Sequence, residues 1–515
     1  METLELLIGL LAAVAVVVRL AGRTTIPEPV LLMLAGLAVA LIPGLPQVEL
    51  DPELILALFL PPLLYWAALH IDIRELRANL RPVALLAVGL VLVTTAAVAV
   101  LAHSVFGLPW AVAVVLGAIV SPPDPVAATA VAGRLGLPRR MVTILEAEGL
   151  LNDATALVLY RVAVAAAVSG TFSIVEAGVE LGVSAFGGTA VGLVVGWVGS
   201  RVLRRVSEAP IENTVKLLLP YVAWLAAERV HASGVLAVLA TGLVMTRHWG
   251  SISSGARLQA RQLWDWLVFV LEGLSFVLVG VQLRPVVQGI EGRSLADLAL
   301  AVLALNLVVI LSRLAWVYPA SWLPRRSARV RARDPFPGWG SVTVIGWAGM
   351  RGVVTLALAL AIPTEVEGGG PFPDRNLVVF LAFSVIVVTL IGQGLTLPLV
   401  IRRLGVAAED EGSAGDGRRA LARLSEVALD HLDAVDPEAD GVPAELVERL
   451  RERYRTRLAH LDQQGEEGQP DGTRAYTALV HDLLGAQREE LRRLSALGRS
   501  TPEVARRLDH DVDVE

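Results

Sequence analysis

The sequence predicts an all-α, polytopic membrane protein with a soluble helical tail. The 515 residues are 54% hydrophobic and their mean hydropathy is +0.61. Apolar runs of about 18 residues or more recur along the first 400 positions, and each is long enough to cross a bilayer. A chain of several soluble domains does not need so many uninterrupted apolar segments. There is no cysteine, so neither a disulfide framework nor a thiolate metal site is expected.

Hydropathy indicates about 13 membrane spans, of which the second and the ninth are short. Acidic residues rather than lysines lie at the front of the first apolar run, and no small-residue cleavage site follows it. We therefore expect a retained first span rather than a signal peptide. The predicted spans begin near residues 3, 29, 52, 82, 109, 140, 178, 213, 232, 262, 295, 340 and 376.

Arginine distribution predicts the orientation of these spans, because basic residues concentrate in cytoplasmic loops. One set of alternate loops holds about 21 arginines and the other set holds 4. This asymmetry predicts an N-terminus outside the cell and a cytoplasmic C-terminal tail. The expected location is the plasma (inner) membrane.

Two spans carry residues that interrupt a helix. The fifth contains Ser-Pro-Pro-Asp-Pro-Val at Ser121–Val126, where each proline removes a backbone donor and clashes with the preceding turn. The twelfth contains Gly-Trp-Ala-Gly-Met-Arg-Gly at Gly346–Gly352, where glycine permits unwinding. Interrupted segments in corresponding halves are typical of transporters with inverted repeats and a midplane site. The two interrupted spans are seven spans apart. An odd separation gives the two halves of the domain opposite orientations in the membrane, as inverted repeats require.

The sixth span holds four polar residues, Glu146, Glu148, Asn152 and Asp153, in an otherwise apolar run. At ~1.5 Å rise per residue, Asp153 lies roughly 18 Å from Met141, near the middle of a ~30 Å hydrocarbon layer. A carboxylate there is costly and usually faces a water-filled path or a partner. It can hold a proton or a hard monovalent cation such as sodium, and competition for it is an exchange mechanism. The alternative is a buried ion pair that only fixes helix packing.

Neighbouring polar groups are candidates for the same site. Asn152 cannot titrate, but its amide can bond the interrupted backbone of the fifth span, or it can be purely structural. Asp124 is expected to cap the following half-helix, with direct ion binding as the alternative. The Ser121 hydroxyl and the Pro123 carbonyl are available oxygens for a partly dehydrated cation.

Besides the acids of the sixth span, three more charged residues lie within predicted spans: Arg313, Arg351 and Glu272. Glu148 needs a cationic partner at its depth, and Arg313 in the eleventh span and Arg351 in the twelfth are the candidates. Such a pair fixes helix register rather than adding net stability, so we expect a structural or gating role. Glu272 is a further mid-span acid without an evident partner, and its functional and structural interpretations are equally open.

Beyond the transmembrane domain, predicted as 1–403, composition predicts a linker at 404–417 and a cytosolic helical tail at 418–515. The residues after 403 hold 15 basic and 25 acidic side chains, so the tail is acidic. Helical stretches are expected near Arg418–Ala434, Pro443–Leu461 and Arg474–Leu497. A tail that binds an unknown regulator and a merely solvated tail are both open.

Several motifs resemble the monovalent cation:proton antiporter-1 family, the bacterial NhaP type and its animal sodium/proton exchanger relatives. They are Leu60-Pro-Pro-Leu-Leu, Ser121-Pro-Pro-Asp-Pro-Val-Ala, Glu148-Gly-Leu-Leu-Asn-Asp, Arg313 and Gly349-Met-Arg-Gly. The resemblance implies a homodimer, 13 spans and an elevator-like alternating-access movement. It also implies that Asp153 carries the cation and the proton, that Glu148 pairs with Arg313, and that Asn152 steadies the site. Asp124 and Arg351 would belong to crossed unwound helices.

Two positions depart from the family pattern. Gly149 stands where many relatives have a serine, whose hydroxyl can contribute to the ion site. Tyr65 and Trp66 stand where many relatives carry an acid in the third span. Both departures bear on ion selectivity more than on exchange itself.

These observations predict a secondary antiporter that moves sodium outward against inward protons, with potassium or lithium as alternative cations. One carboxylate exchanging one proton for one cation predicts electroneutral 1:1 stoichiometry. We expect no enzymatic activity, no cofactor and no nucleic-acid partner; the ions are substrates. A potassium-preferring antiporter is the nearest alternative. A cation channel would need a filter sequence that is not evident, and an intramembrane protease would need Asp124 and Asp153 as a close acid pair.

Overall fold

The protein is almost entirely helical and divides into two compact units, Met1–Ala408 and Glu409–Glu515. The structure is a computed structural model, and within the described residues it has no β-strand, only an isolated bridge between Glu365 and Pro371. Those residues are 2–24, 26–42, 52–71, 73–170, 174–206, 208–246, 254–290, 294–367, 369–406, 411–435 and 443–466.

In the first unit a helix begins within about four residues of every predicted span start except the tenth, where the helix begins at Ser254 rather than near residue 262. Seven stretches of described helix are long and apolar enough to cross a membrane, and four shorter apolar helices accompany them. The predicted all-α membrane fold is confirmed, while the number of thirteen spans stays a prediction. The helices are α1 Glu2–Ala21, α2 Glu28–Ala40, α3 Pro52–His70, α4 Ile73–Ala78, α5 Leu80–Ala84, α6 Val91–Ser104, α7 Trp110–Val120, α8 Pro125–Leu135, α9 Arg139–Ser169, α10 Ile174–Leu203, α11 Ala209–Arg229, α12 Gly234–Thr246, α13 Ser254–Val281, α14 Leu283–Gln288, α15 Leu295–Trp322, α16 Ala328–Arg333, α17 Trp339–Trp347, α18 Val353–Leu360 and α19 Arg375–Leu404.

The two predicted interruptions are present. Helix α7 ends at Val120 and α8 begins at Pro125, because the prolines between them cannot continue the hydrogen-bond ladder. Helices α17 and α18 are likewise separated by the glycine-rich segment after Trp347. The two breaks contact each other, since the Asp124 amide donates to the Met350 carbonyl at 2.7 Å. Two half-helix pairs therefore meet at one point inside the bundle.

The membrane helices form two groups. In the first, which we call the crossing group, α7, α8, α17 and α18 pack with α6, α9, α15 and α19; in the second, the flanking group, α1, α2, α3 and α10 to α13 pack on one another. Close approach within the flanking group depends on glycine. A Cβ on Gly36 would lie 2.1 Å from the Val277 carbonyl oxygen, so α2 and α13 touch backbone to backbone.

Three arginines surround Asp334 in the segment between α16 and α17. Arg81 and Arg325 donate to its carboxylate at 2.5 Å and 2.8 Å, and Arg140 donates to the other oxygen. The cluster ties α5, the first turn of α9 and the turn after α15 together at one end of the crossing group. Burial raises the pKa of Asp334, but hydrogen bonds and charge from Arg140 and Arg325 outweigh it and hold the pKa below its usual 3.8.

We expect Asp334→Asn to lower the thermal unfolding midpoint in detergent at pH 7. Because the folded-state pKa lies below the unfolded value, the carboxylate stabilises the fold above about pH 4 and loses that contribution as the pH falls through the folded pKa. The difference from wild type should therefore shrink in scans below about pH 4. Asp297→Asn, at an exposed carboxylate in the first turn of α15, is the control. A difference that widens at acidic pH would contradict this assignment.

The second unit contains two described helices, α20 Glu411–Asp433 and α21 Ala444–Glu466. Arg451 joins them through Asp433 at 2.9 Å. Residues 411–417, predicted as part of a linker, are helical, although Gly412, Gly415 and Gly417 lower the helix propensity of this segment. The predicted helix at Arg474–Leu497 lies outside the described residues.

Candidate functional site

A cavity of about 130 Å³ lies between the crossing group and the flanking group. One wall comes from α9 and the interrupted helices, and the other from α3 and α13. Three carboxylate residues line it, Asp124, Asp153 and Glu272, and the described residues around it include no basic side chain. The rest of the lining is mostly apolar. The cavity is therefore suited to a small cation or a proton rather than to an anion.

Asp153 lies on α9, where the helix passes the break in the fifth span. Its side chain is 7% exposed and lines the cavity. No hydrogen bond or ion pair joins its carboxylate to any residue that the structure describes. A buried carboxylate normally has partners, so one aimed into a cavity without them is available to bind a cation or a proton.

Asp124 holds the break in the fifth span. Its carboxylate accepts from the Val126 amide at 2.9 Å, which caps α8 as the sequence predicts, and it also lines the cavity. Gly352 makes this approach possible, because a Cβ there would lie 1.6 Å from Oδ2 of Asp124. The two interrupted spans thus fit together through one carboxylate and one glycine.

Asn152 and Ser121 lie behind the cavity rather than on its wall. Nδ2 of Asn152 donates to the Pro123 carbonyl at 3.1 Å, which ties α9 to the break, while Oδ1 of Asn152 is buried without a partner among the described residues. The Ser121 hydroxyl donates within its own helix to the Ala118 carbonyl at 3.1 Å. The sequence offered oxygens of Ser121 and Pro123 as cation ligands. Of these two residues, Pro123 lines the cavity.

Glu148 pairs with Arg313, the first of the two arginines that the sequence offered. The guanidinium donates to both carboxylate oxygens, at 2.5 Å and 3.0 Å, and both side chains are about 1% exposed. Arg313 also donates to the Ile345 carbonyl at 3.0 Å. A bidentate, fully buried pair of this kind joins α9, α15 and α17 in one arrangement.

Arg351 serves the break instead of Glu148. It donates to the carbonyls of Val120 at 3.0 Å and of Gly349. These carbonyls lie at the ends of α7 and α17, where interruption leaves them without helical partners and where a positive charge is favourable. Arg351 therefore stabilises the crossed helix ends.

Both departures from the family pattern are explained by packing around the cavity. A Cβ on Gly149 would lie 2.2 Å from Cγ of Pro125, so a serine does not fit without movement of α8. Trp66 lines the cavity and stacks on Trp264 at 5.5 Å between ring centroids. The carboxylate on this wall comes from Glu272 on α13 instead.

Two buried polar arrangements are absent from the sequence prediction. Lys216 and Glu212 form a 2.5 Å ion pair inside α11, with Lys216 about 1% exposed; their i, i+4 spacing is the signal that could have indicated it. Arg375 donates to the carbonyls of Leu360 and Ile362 at 2.9 Å and 2.8 Å, beyond the end of α18. No local pattern indicates that second arrangement, because it depends on how the chain returns.

The profile of one family, described as "Sodium/hydrogen exchanger, transmembrane", matches residues 9–403. The chain belongs to this family. An uncharacterized Na⁺/H⁺ exchanger of Mycobacterium tuberculosis is 39% identical to this exchanger over 88% of the chain and 84% of that protein. The sodium, potassium, lithium and rubidium/H⁺ antiporter of Bacillus subtilis is 34% identical over 73% of the chain and 58% of that protein.

Among solved structures, the exchanger is similar to the sodium proton antiporter MjNhaP1 from Methanocaldococcus jannaschii. The TM-score is 0.61 at 21% identity, and the match covers 78% of this chain and 99% of that one. At that identity the likeness shows the fold. The predicted family and the predicted helical membrane architecture are both confirmed.

Proposed function

We propose that this exchanger moves sodium against protons by competition of the two ions for Asp153. The observation that carries the proposal is a buried carboxylate that lines a cavity and has no partner in the described part of the chain. A sodium ion needs oxygen ligands and a proton needs a lone pair, so one oxygen pair serves either ion but not both together. The names of the relatives, which specify sodium or several alkali cations, agree with this substrate class.

The surrounding residues hold the site in shape. Asp124 presents further oxygens at the cavity, while Asn152 and Arg351 keep the two breaks in position through the bonds described above. The Glu148–Arg313 pair holds α9, α15 and α17 in one arrangement throughout the cycle. None of these groups has to change protonation for exchange to proceed at Asp153.

We expect the exchange to be electroneutral. The Asp153 carboxylate is neutralised equally by one proton or by one sodium ion. The two loaded forms of the carrier therefore have the same net charge, and the membrane potential does not act on the cycle. Proteoliposomes clamped at 0 and at about −100 mV by gradients of the permeant anion thiocyanate, without potassium, should exchange sodium at the same rate, whereas a cycle that moves one net charge would gain about 2.3 kcal/mol of driving force. A rate that follows the clamped potential would contradict 1:1 exchange. Transport that ignores an opposing proton gradient would indicate a channel.

Cation preference follows from the same cavity. We propose sodium as the substrate, with potassium or lithium as alternatives. Adding sodium, potassium or lithium chloride to acid-loaded vesicles that contain a pH dye measures the order of cation preference directly.

The assembly and orientation belong to the same proposal. We propose a homodimer in the plasma membrane, with an outside N-terminus, a cytoplasmic tail that binds a regulator, and movement of the crossing group against the flanking group. The position of the cavity between the two groups supports such a movement, because relative displacement of its walls would open it to one side or the other.

A further inference from the structure

The flanking wall of the cavity carries an ionisable residue that the exchange scheme leaves without a role. Glu272 lies on α13, and it lines the cavity together with Val268, Ser275 and Phe276 of the same helix. Asp153 and Asp124 face the cavity from the crossing group. The carboxylates that line this cavity therefore come from two helix groups rather than from one.

No described residue neutralises Glu272. It forms no ion pair with another described side chain, and the cavity lining contains no arginine, lysine or histidine. Its neighbour Ser275 donates to the Glu272 backbone carbonyl at 2.7 Å rather than to the carboxylate. A carboxylate kept at this depth without a cation of its own is costly, and its presence calls for a mobile cation as partner.

Asp153 supplies the independent indication that a ligand occupies this cavity. Its side chain is more than nine-tenths buried, has no partner among the described residues and lines the same space. The α3 side chains on the flanking side are uncharged, and the largest of them, Trp66, lines the cavity and packs against Trp264. Glu272 is thus the source of negative charge on that wall.

We propose that Glu272 is a further binding residue for the transported cation, which it attracts and helps to hold from the wall opposite Asp153. This inference rests on the proposed exchange at Asp153. Asp153 carries the exchanged charge, while Glu272 raises the local concentration of cations and contributes an oxygen when the walls are close.

The proposal predicts a split between affinity and turnover. Glu272→Gln removes the charge and nearly keeps the shape, so KM for sodium should rise by about tenfold or more, because a charge several ångströms from the ion attracts it strongly at an effective dielectric of about 20. Vmax should change by less than about twofold, because Asp153 still carries the exchange. Glu272→Asp restores the charge and should return KM close to the wild-type value. Glu365→Gln, at an exposed glutamate between α18 and α19, is the matched control.

The absence of cysteine from the chain permits a second test in the intact protein. Glu272→Cys creates a single thiol facing the cavity. Modification with a sulfonated methanethiosulfonate should put back a negative charge and lower KM, whereas a trimethylammonium reagent should raise it further. Sodium should slow both modifications. These outcomes do not depend on whether glutamine at this position weakens packing.

The results separate the two proposals. Wild-type protein without sodium-dependent proton movement would overturn the exchange itself. Wild-type exchange combined with an unchanged KM in Glu272→Gln, or with a thiol at 272 that neither reagent modifies, would overturn the role of Glu272 alone. A fall in Vmax at constant KM, not rescued by Glu272→Asp, would also overturn it and assign Glu272 to helix packing.

Discussion

Replacing Asp153 with asparagine is expected to abolish sodium-dependent proton movement while the protein stays folded. Asparagine nearly matches the shape of aspartate, but its amide carries no charge and neither binds nor releases a proton. A contact charge pair at an effective dielectric of about 20 is worth about 4 kcal/mol, which is roughly a thousandfold in affinity. Exchange should therefore fall to the background leak in proteoliposomes loaded with a pH dye.

Asp265→Asn is the matched control for this experiment. Asp265 lies exposed on α13 and does not line the cavity, so its replacement should leave exchange unchanged. Size-exclusion profiles in detergent should be identical for both variants, because Asp153 has no described partner to lose. Sodium-dependent proton flux that persists in Asp153→Asn would remove this residue from the site.

The second large effect is expected on stability, at the pair of Glu148 and Arg313. Arg313→Ala should lower the stability of the fold by about 3–5 kcal/mol, because the Glu148 carboxylate is left buried and uncompensated. Thermal unfolding in detergent, followed by fluorescence size exclusion, measures the change. Glu148→Ala should have a similar effect for the reciprocal reason.

Two comparisons make that test specific. Arg161 pairs with Glu228 at 2.6 Å, but about one third of each side chain is exposed, so Arg161→Ala should cost about 1 kcal/mol or less. Removing both buried charges, in Glu148→Leu with Arg313→Met, should be milder than either single change, since no unpaired charge remains. A double variant as unstable as Arg313→Ala, or equal effects at the buried and exposed pairs, would contradict the assignment.

The sequence is most informative where a local pattern conflicts with its surroundings. Prolines in the Ser121–Val126 segment predict an interrupted helix because a covalent ring prevents continuation whatever packs nearby. Asp153 stands out because an acid in an apolar span is costly, which predicts a functional role for it. The capping of α8 by Asp124 follows from its position just before the half-helix.

Features that depend on packing between distant segments are less accessible. Glu272 is more than a hundred residues from Asp153 in sequence, and only the approach of α13 to the crossing group brings both to one cavity. The choice of Arg313 over Arg351 for Glu148 also depends on tertiary geometry. The Ser121 hydroxyl, expected at the site, instead bonds its own helix, because a serine at a helix end can satisfy itself locally.

The most direct measurement of the central claim is proton release on sodium binding to purified protein in weakly buffered detergent. If both ions compete for one carboxylate, each sodium ion bound should release about one proton in the pH range where Asp153 is protonated. Asp153→Asn should release none, and Asp265→Asn should match the wild type. Sodium binding without proton release, or equal release in Asp153→Asn, would contradict competition at Asp153.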